Sequence, residues 1–202
     1  MKYIFLLLSV FLFACNHLQK HFNASANIMA LQETVDAADP SLNFKNGYWY
    51  YEDKLFSGTI TDLFNNKKIH HSTQYIQGKE DSWQTIFYED GTVSEKRFYS
   101  KGEKDGTHSG WWQNGNKRFE YHFAAGIYEG DYKEWYQSGK PLKHIHYTNG
   151  IDDWGKGWRE TGKLYMNYVM KDGRRYGIVN SNLCYTVKNG NGEFVNSAAG
   201  SK

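Results

Sequence analysis

The sequence is poor in the features that mark disulfide-stapled domains, nucleic-acid-binding proteins and common enzyme families. It has two cysteines and two prolines in 202 residues, and its formal net charge is only +2. This near balance of charge gives no reason to expect a nucleic-acid partner. The sequence contains no Gly-x-Ser-x-Gly elbow, no phosphate-binding loop and no His-Glu-x-x-His metal motif. We therefore expect that the chain is not an enzyme and needs no cofactor.

An apolar run long enough to cross a bilayer, which needs about 20 residues, is also missing. The one uninterrupted run of apolar or small residues spans 4–14 and fits the central region of a signal peptide. Its end, Leu12-Phe13-Ala14-Cys15, resembles a bacterial lipobox. That resemblance implies a lipoprotein signal peptide at 1–14 and lipid on Cys15. Because Asn16 follows rather than Asp, it also implies sorting to the outer membrane, facing the periplasm. An ordinary signal peptide with a chance cysteine is the alternative.

With lipid on Cys15, Cys184 is left without a partner, and the fold then uses no internal disulfide. Stability must come from packing and from hydrogen bonds between strands. Aromatic residues make up 17% of the chain, and glycine occurs 20 times. This combination favours short strands joined by tight turns. Cys184 itself is either a reactive thiol or a small buried hydrophobe.

The middle of the chain repeats itself about every 24 residues. One set of turn glycines recurs at spacings of 24, 24, 24 and 23 residues: Gly78, Gly102, Gly126, Gly150 and Gly173. A second set has the same spacings, with lysine in place of the first glycine: Lys67, Gly91, Gly115, Gly139 and Gly162. A third set keeps the same phase: Gly58, Ser82, Gly106, Gly130, Trp154 and Gly177. The shared phase of the three sets predicts a tandem structural repeat.

Each copy of the repeat has the pattern of a β-hairpin. An aromatic pair such as Trp111-Trp112 ends one strand, and the turn that follows contains Asn-Gly or Asp-Gly, which tolerate positive φ. A second strand then runs to Phe123 before another glycine reverses the chain. Two strands of about six residues with two turns fill about 24 positions. We therefore predict an all-β fold, a single-layer antiparallel meander of stacked β-hairpin repeats.

Residues 106–115 (GTHSGWWQNG) and 130–139 (GDYKEWYQSG) are closely similar copies of the repeat, whereas the copies around Lys67 and Gly162 are degenerate. This pattern resembles the MORN-variant repeat family over residues 47–177. The resemblance implies a long, curved, single-layer antiparallel sheet that serves in binding or scaffolding. Many bacterial members of that family carry an antitoxin-type label. The family supplies no catalytic residues.

The regions on either side of the repeats are expected to be simpler. Residues 15–46 form the lipidated N-terminus and a tether, which either stays irregular or contains one short helix formed by Ile28, Met29, Leu31 and Val35. Residues 178–202 are expected to add a hairpin and a frayed tail. The hairpin strands would be 183–187 and 193–195, with the turn at 189–192.

The aromatic pairs are the first candidate binding site. Tyrosine and tryptophan suit interfaces because they combine a large contact area with a polar tip. Because neighbouring residues in a strand point to opposite faces, each pair places an aromatic ring on both faces of a one-layer sheet. These rings are either a binding surface or part of the packing. The candidate residues are Trp111, Trp112, Trp135 and Tyr136.

A group of histidines is a weaker candidate, for a metal site. His122 and His146 occupy the same repeat position, and both His144 and Glu120 lie two residues from one of them. If the repeats stack in register, the four side chains share one face, opposite Tyr121, and could bind Zn²⁺ or Cu²⁺. A solvated sheet face is the simpler interpretation and the one we favour, so we predict no metal.

Together these patterns predict an outer-membrane-anchored repeat lipoprotein that acts as a protein-binding or scaffolding module, with a glycan as the other ligand that its sheet could bind. The alternative is an immunity or antitoxin-like protein that neutralises a toxin by direct binding. The expected partners are the membrane, through the N-terminal lipid, and a protein of unknown identity. A second copy of the chain could also pair through the open edges of the sheet.

Overall fold

The computed structural model describes residues 33–178 and the two short strands at 186–188 and 194–196. The residues that it describes form eighteen strands and no helix, and thus no helix of the length and apolar character needed to cross a bilayer. The predicted signal peptide at 1–14, Cys15 and Cys184 lie outside the described residues.

The first four strands are β1 (Thr34–Asp36), β2 (Leu42–Lys45), β3 (Tyr48–Tyr51) and β4 (Lys54–Leu55), of which β3 and β4 fall within the predicted repeat range of 47–177. The strands of the repeat region are β5 (Gly58–Leu63), β6 (Ile69–Ile76), β7 (Lys79–Phe87), β8 (Val93–Ser100), β9 (Glu103–Lys104), β10 (Gly106–Trp111), β11 (Lys117–Ala124), β12 (Ile127–Trp135), β13 (Pro141–Thr148), β14 (Ile151–Trp158), β15 (Leu164–Lys171) and β16 (Arg174–Ile178). The last two are β17 (Thr186–Lys188) and β18 (Phe194–Asn196).

The repeat region forms one large sheet of thirteen strands. Its order is β1-β5-β6-β7-β8-β10-β11-β12-β13-β14-β15-β16, with the two-residue β9 paired to β8. From β5 onward each strand pairs antiparallel with its neighbour in the chain, apart from this short insertion. The predicted all-β antiparallel meander of consecutive hairpins is confirmed.

The first set of glycines lies in tight turns that need positive φ at both central residues. Ala125 has φ 47° and Gly126 has φ 83°, the conformation of a type I′ hairpin turn. The same pair of positive angles recurs at the equivalent positions: Gln77-Gly78, Lys101-Gly102, Asn149-Gly150 and Asp172-Gly173. The turn at Ala125-Gly126 also bonds to the preceding repeat, because the Gly126 amide donates to the carbonyl oxygen of Lys104 in β9 at 2.8 Å.

The second set closes the opposite ends of the hairpins. The Gly115 amide donates to the Trp112 carbonyl oxygen at 2.8 Å, and the Trp112 amide donates to the Asn116 carbonyl oxygen at 2.8 Å. Gly115 itself has φ 85°. The same two bonds recur at the turns around Lys67, Gly91, Gly139 and Gly162. Lys67 adopts φ 66° where the other copies have glycine, so the degenerate copy keeps the turn.

The region before the repeats is more ordered than a tether, and the helix prediction that included Val35 is wrong at that residue. Val35 lies in β1, which pairs in parallel with β5 and places Val35 beside Ile60. Both side chains are buried. Apolar β-branched residues such as these fit a sheet better than an exposed helix, which explains why Val35 lies in a strand. Ile28, Met29 and Leu31 lie outside the described residues. The strand β2 also falls within the segment expected to be irregular.

Strands β2, β3 and β4 form a small separate sheet that covers the beginning of the large one. Its Trp49 ring lies edge-on to the Tyr75 ring, with centroids 6.3 Å apart, and Phe56 lies 6.3 Å from the same tyrosine. The Trp49 amide also donates to the Gly78 carbonyl oxygen at 2.9 Å. Val35, Leu42, Phe56, Ile60 and Tyr75 are the buried core of this contact. We call residues 42–56 the cap.

The C-terminal hairpin is confirmed where the structure describes it. Strands β17 and β18 pair antiparallel, with Val187 opposite Val195. As the sequence predicts, the two strands are antiparallel and lie on either side of residues 189–192 in the chain. The predicted turn at 189–192 and the beginning of the first predicted strand at 183–185 lie outside the described residues.

The turn geometry predicts a stabilising substitution. Ala125 holds φ 47° without a side chain suited to it, whereas asparagine adopts this region readily. We expect Ala125→Asn to raise the free energy of unfolding by about 0.5 to 1 kcal/mol, measured by urea denaturation. The reciprocal control, Asn149→Ala at the equivalent turn, should lower it by a similar amount. Equal midpoints for both variants and the wild type would contradict the assignment.

Candidate functional site

The two faces of the large sheet have different chemistry. One face carries most of the buried and half-buried rings, and we call it the aromatic face: Tyr75, Tyr99, His108, Phe119, Tyr121, Phe123, Tyr128, Tyr132, Tyr147 and Tyr168. The opposite face carries Glu120, Asp131, Lys133, His144 and His146. This division follows from strand alternation and matches the predicted separation of the histidines from Tyr121.

The rings of the aromatic face stack across neighbouring strands. Tyr121 of β11 lies 4.1 Å from Tyr132 of β12, with planes 16° apart, and 4.5 Å from Phe119, with planes 14° apart. Tyr128 lies 4.5 Å from Phe123 and 5.0 Å from Tyr147, again nearly parallel. Neighbouring strands are about 4.8 Å apart, so rings that stand upright on adjacent strands meet face to face. Their edges and hydroxyl groups therefore point away from the sheet.

His108 continues this row of rings at β10. It is only 2% exposed, and its ring lies 5.4 Å from Tyr99 and 4.6 Å from Phe123. Burial lowers the pKa of His108, so the neutral ring is favoured. Its Nε2 lies 2.7 Å from the Phe98 carbonyl oxygen, which can only accept, so Nε2 carries the hydrogen. This histidine is a structural donor.

A carboxylate holds the next part of the aromatic face. Glu134 Oε1 accepts hydrogen bonds from the Tyr121 hydroxyl at 2.8 Å and the Tyr132 hydroxyl at 2.6 Å. Lys143 Nζ lies 3.1 Å from its other oxygen. Burial acts against ionisation of Glu134, but these hydrogen bonds and the lysine outweigh it and lower its pKa. Burial, together with bonding to this carboxylate, raises the pKa of Tyr132.

An open groove of about 460 Å³ crosses the aromatic face from β8 to β13. Three cations line its floor and walls, Arg97, Lys104 and Arg118. Its other walls are formed by His108, Trp112, Phe119, Tyr121, Phe123, Tyr128, Glu134, Trp135 and Leu142. Residues 33–178 place no second sheet over this region, whereas the cap covers the face at Tyr75.

Two of these cations share one buried carboxylate. Arg97 pairs with Glu95 Oε2, and Arg118 pairs with Glu95 Oε1. The Glu95 side chain is only 12% exposed. The Arg118 guanidinium also lies over the Trp112 ring, 5.6 Å from its centroid. The third cation, Lys104, lies over the Phe123 ring at 5.2 Å. Cation and ring therefore alternate along the groove.

The four candidate aromatics do not form one cluster. Trp112 and Trp135 both line the groove. Trp111 lines a different cavity beside Lys96, and the Lys117 ammonium lies 5.9 Å from the centroid of its ring. Tyr136 donates from its hydroxyl to the Trp158 carbonyl oxygen at 3.0 Å.

That bond belongs to a repeated series. The Tyr88 hydroxyl donates to the Trp111 carbonyl oxygen at 2.8 Å, and Trp112 Nε1 donates to the Trp135 carbonyl oxygen at 3.1 Å. In each case the second member of an aromatic pair bonds to the carbonyl of the tryptophan that holds the first position in the next repeat. Trp112 and Tyr136 therefore have a structural role in joining repeats, whatever else they contact.

The histidine group stays divided on the opposite face. His122 lies on β11, whereas His144 and His146 lie on β13, and β12 separates them. Each has its own carboxylate: His122 is 3.7 Å from Glu120, His144 is 3.0 Å from Asp131, and His146 is 2.9 Å from Asp153. Within the described residues, no three His, Cys, Asp or Glu side chains are grouped so that they could hold a metal ion.

The Asp131 carboxylate shows the strength of this pairing. Burial acts to raise its pKa, but hydrogen bonds from Lys133 Nζ at 2.6 Å and from His144 at 3.0 Å outweigh that effect. The pKa of Asp131 falls to about 2. Lys133 lies between the strands that carry the histidines, so its positive charge opposes the binding of a metal cation there.

Sequence reasoning missed the cations of the groove. Strict alternation along β11 would place Arg118 on the face opposite Phe119. The register shifts at Trp111, which pairs with Lys117 while Gly110 pairs with Phe119, so β11 has one extra residue there. Such a bulge turns two successive side chains to the same face, which brings Arg118 to the groove. The glycine spacing does not reveal this bulge.

Comparison with protein-family models, with curated proteins and with solved structures finds no match to this chain.

The repeated hydroxyl bond predicts a specific cost. Tyr136→Phe removes the donor to the Trp158 carbonyl and changes little else. We expect the free energy of unfolding to fall by about 1 kcal/mol. It is measured by urea denaturation, and its dependence on urea concentration should be the same as in the wild type. Tyr176→Phe is the control, because that ring is 51% exposed on the terminal strand. Equal losses in the two variants, or none in either, would contradict a role for this bond.

Proposed function

We propose that this chain is a lipid-anchored binding protein of the cell envelope that holds a protein partner on the aromatic face of its repeat sheet. One observation carries the proposal. From β8 to β13 the aromatic face offers half-buried rings and charged groups around an open groove, with no covering layer among residues 33–178. A surface that combines aromatic rings, arginine and an aliphatic side chain such as Leu142 has the composition of protein interfaces.

The way in which the cap covers one end of the aromatic face favours a protein partner for the part of that face that is uncovered. At Tyr75 the aromatic face is covered by an extended segment of the chain itself. That segment places Trp49 and Phe56 against the tyrosine and bonds its backbone to Gly78. Tyr99, Phe123 and Tyr147 occupy the corresponding repeat positions. The way the cap binds therefore indicates how a second polypeptide would bind further along the sheet.

The repeats and the N-terminal motif support the rest of the proposal. The hairpin geometry agrees with what the resemblance to MORN-variant repeats implies. The lipobox-like end at Cys15 supports attachment to the outer membrane, with the sheet in the periplasm. In this arrangement the sheet acts as a scaffold that keeps its partner near the membrane.

Photocrosslinking tests the proposed surface directly. A photoreactive phenylalanine analogue replaces Leu142 in the groove, and a matched variant carries it at Lys156, an exposed position on the opposite face. Both full-length chains are made in the native cell and irradiated. We expect a discrete protein adduct from position 142 and none from 156, because only the first faces the groove. Adducts from 156 alone, or the same products from both, would contradict the proposal.

The anchor has its own test within the same experiment. Cys15→Ser should abolish labelling by a radioactive fatty acid and release the chain from the membrane fraction. It should also reduce the adduct from position 142 if the partner is a membrane protein. Full membrane retention without Cys15 would show that the chain is held there by some other route.

A further inference from the structure

The groove has more hydrogen-bond donors than its own carboxylates use. Each guanidinium has five N–H donors, and Arg97 and Arg118 share the single carboxylate of Glu95. Glu134, the carboxylate that lines the groove, already accepts from two tyrosine hydroxyls and pairs with Lys143. Both carboxylates are therefore paired with cations, while the two arginines have more donors than their partners Glu95 and Tyr99 can accept.

Lys104 adds a cation without a close counter-ion. Its ammonium lies over the Phe123 ring, and no carboxylate of residues 33–178 lies within 4.0 Å of it. Glu80 is the carboxylate that interacts with Lys104 at longer range, and it also interacts with Arg97, so it offsets only part of their charge. A ring face contributes little compared with a carboxylate at the same distance. The excess charge of the groove is therefore positive.

The orientation of the rings also favours an anion. Because Tyr121 and Tyr128 stack on two neighbours each, their faces are already in contact with other rings. A sugar that binds by stacking would need a free face. The ring edges that remain exposed carry the positive end of the aromatic quadrupole. An anionic group on an extended chain fits these edges better than a sugar ring does.

The length of the groove agrees with a short segment of polypeptide. Between β8 and β13 lie four strand spacings of about 4.8 Å, or about 19 Å in total. An extended chain covers that distance with about six residues. Trp112 and Trp135 at the groove wall provide apolar contact for a neighbouring side chain.

We propose that the groove between β8 and β13 binds an extended acidic segment of a protein partner, with a carboxylate at Arg97, Lys104 and Arg118 and an apolar side chain at Trp112 and Trp135. This inference rests on the proposed function and specifies the chemistry of the partner. The carboxylate takes up the unused donors of the arginines and the charge of Lys104. The apolar side chain removes tryptophan surface from water.

Lys104 is the residue to vary, because both arginines hold Glu95 in place and their loss would leave a buried charge. Lys104→Gln removes one positive charge from the groove. Lys156→Gln removes the same charge from the opposite face and is the matched control. Both variants should unfold at nearly the same temperature as the wild type, which is checked first.

The probe is a display library of short random peptides, selected against the full lipidated chain in nanodiscs. We expect enrichment of peptides that carry Asp or Glu beside an aromatic or aliphatic residue. Synthetic copies should bind at least about tenfold more weakly to Lys104→Gln and equally to Lys156→Gln. Lys104→Glu should bind them more weakly still, and binding to the wild type should weaken with added salt.

Several results would overturn the inference. These are enrichment of neutral or basic peptides, equal binding of acidic peptides to both glutamine variants, or no enrichment at all. Binding of anionic phospholipid vesicles that depends on Lys104, without peptide binding, would assign the groove to a lipid headgroup instead. If the Leu142 crosslink forms while the peptide test fails, the proposed function stands and only the acidic segment is wrong. If both fail, the binding surface itself is wrong.

Discussion

A strand in a one-layer sheet can bury its side chains only against its two neighbours, so the register between neighbouring hairpins determines the rest of this structure. Because of the 24-residue period, each repeat makes the same contacts with the next one. The Gly126 amide therefore reaches the Lys104 carbonyl, and Trp112 Nε1 reaches the Trp135 carbonyl. The common length keeps both contacts in register, and the repeat that is one residue shorter still keeps the second, because the Tyr136 hydroxyl reaches the Trp158 carbonyl.

The same constraint explains the chemistry of the surface. Upright rings on adjacent strands stack, as Tyr121 and Tyr132 do, and expose their edges. Charged side chains among them must find partners within the same layer, as Glu95 and Glu134 do. At the beginning of the sheet the cap covers the rings, and further along an open groove takes its place. The groove is thus a consequence of building a sheet from repeats without a second layer.

The fold of the repeats could be predicted because its requirements are local. Positive φ at Gly115 and Gly126 favours glycine, and glycine at a fixed spacing is visible in the sequence. The cap could not be predicted, because residues 42–56 have no second copy with which to compare them. Strand β1, which lies outside the cap, could not be predicted either, because it pairs in parallel with a strand that is distant in the sequence. The groove was only half predictable. Trp112 and Trp135 follow from the aromatic pairs, whereas Arg118 reaches the groove through a bulge.

Hydrogen exchange measured by NMR on the full-length chain tests whether the hydrogen bonds that recur between neighbouring repeats hold the sheet together. The decisive amides are those of Gly102, Gly126 and Gly150, which donate to carbonyl oxygens of the preceding repeat at 2.7, 2.8 and 2.9 Å. Although these residues lie in exposed turns, the account predicts that their amides exchange as slowly as the amides within β11. Exchange at the rate of an unprotected turn would contradict it, because the repeats would then be joined only through their strands.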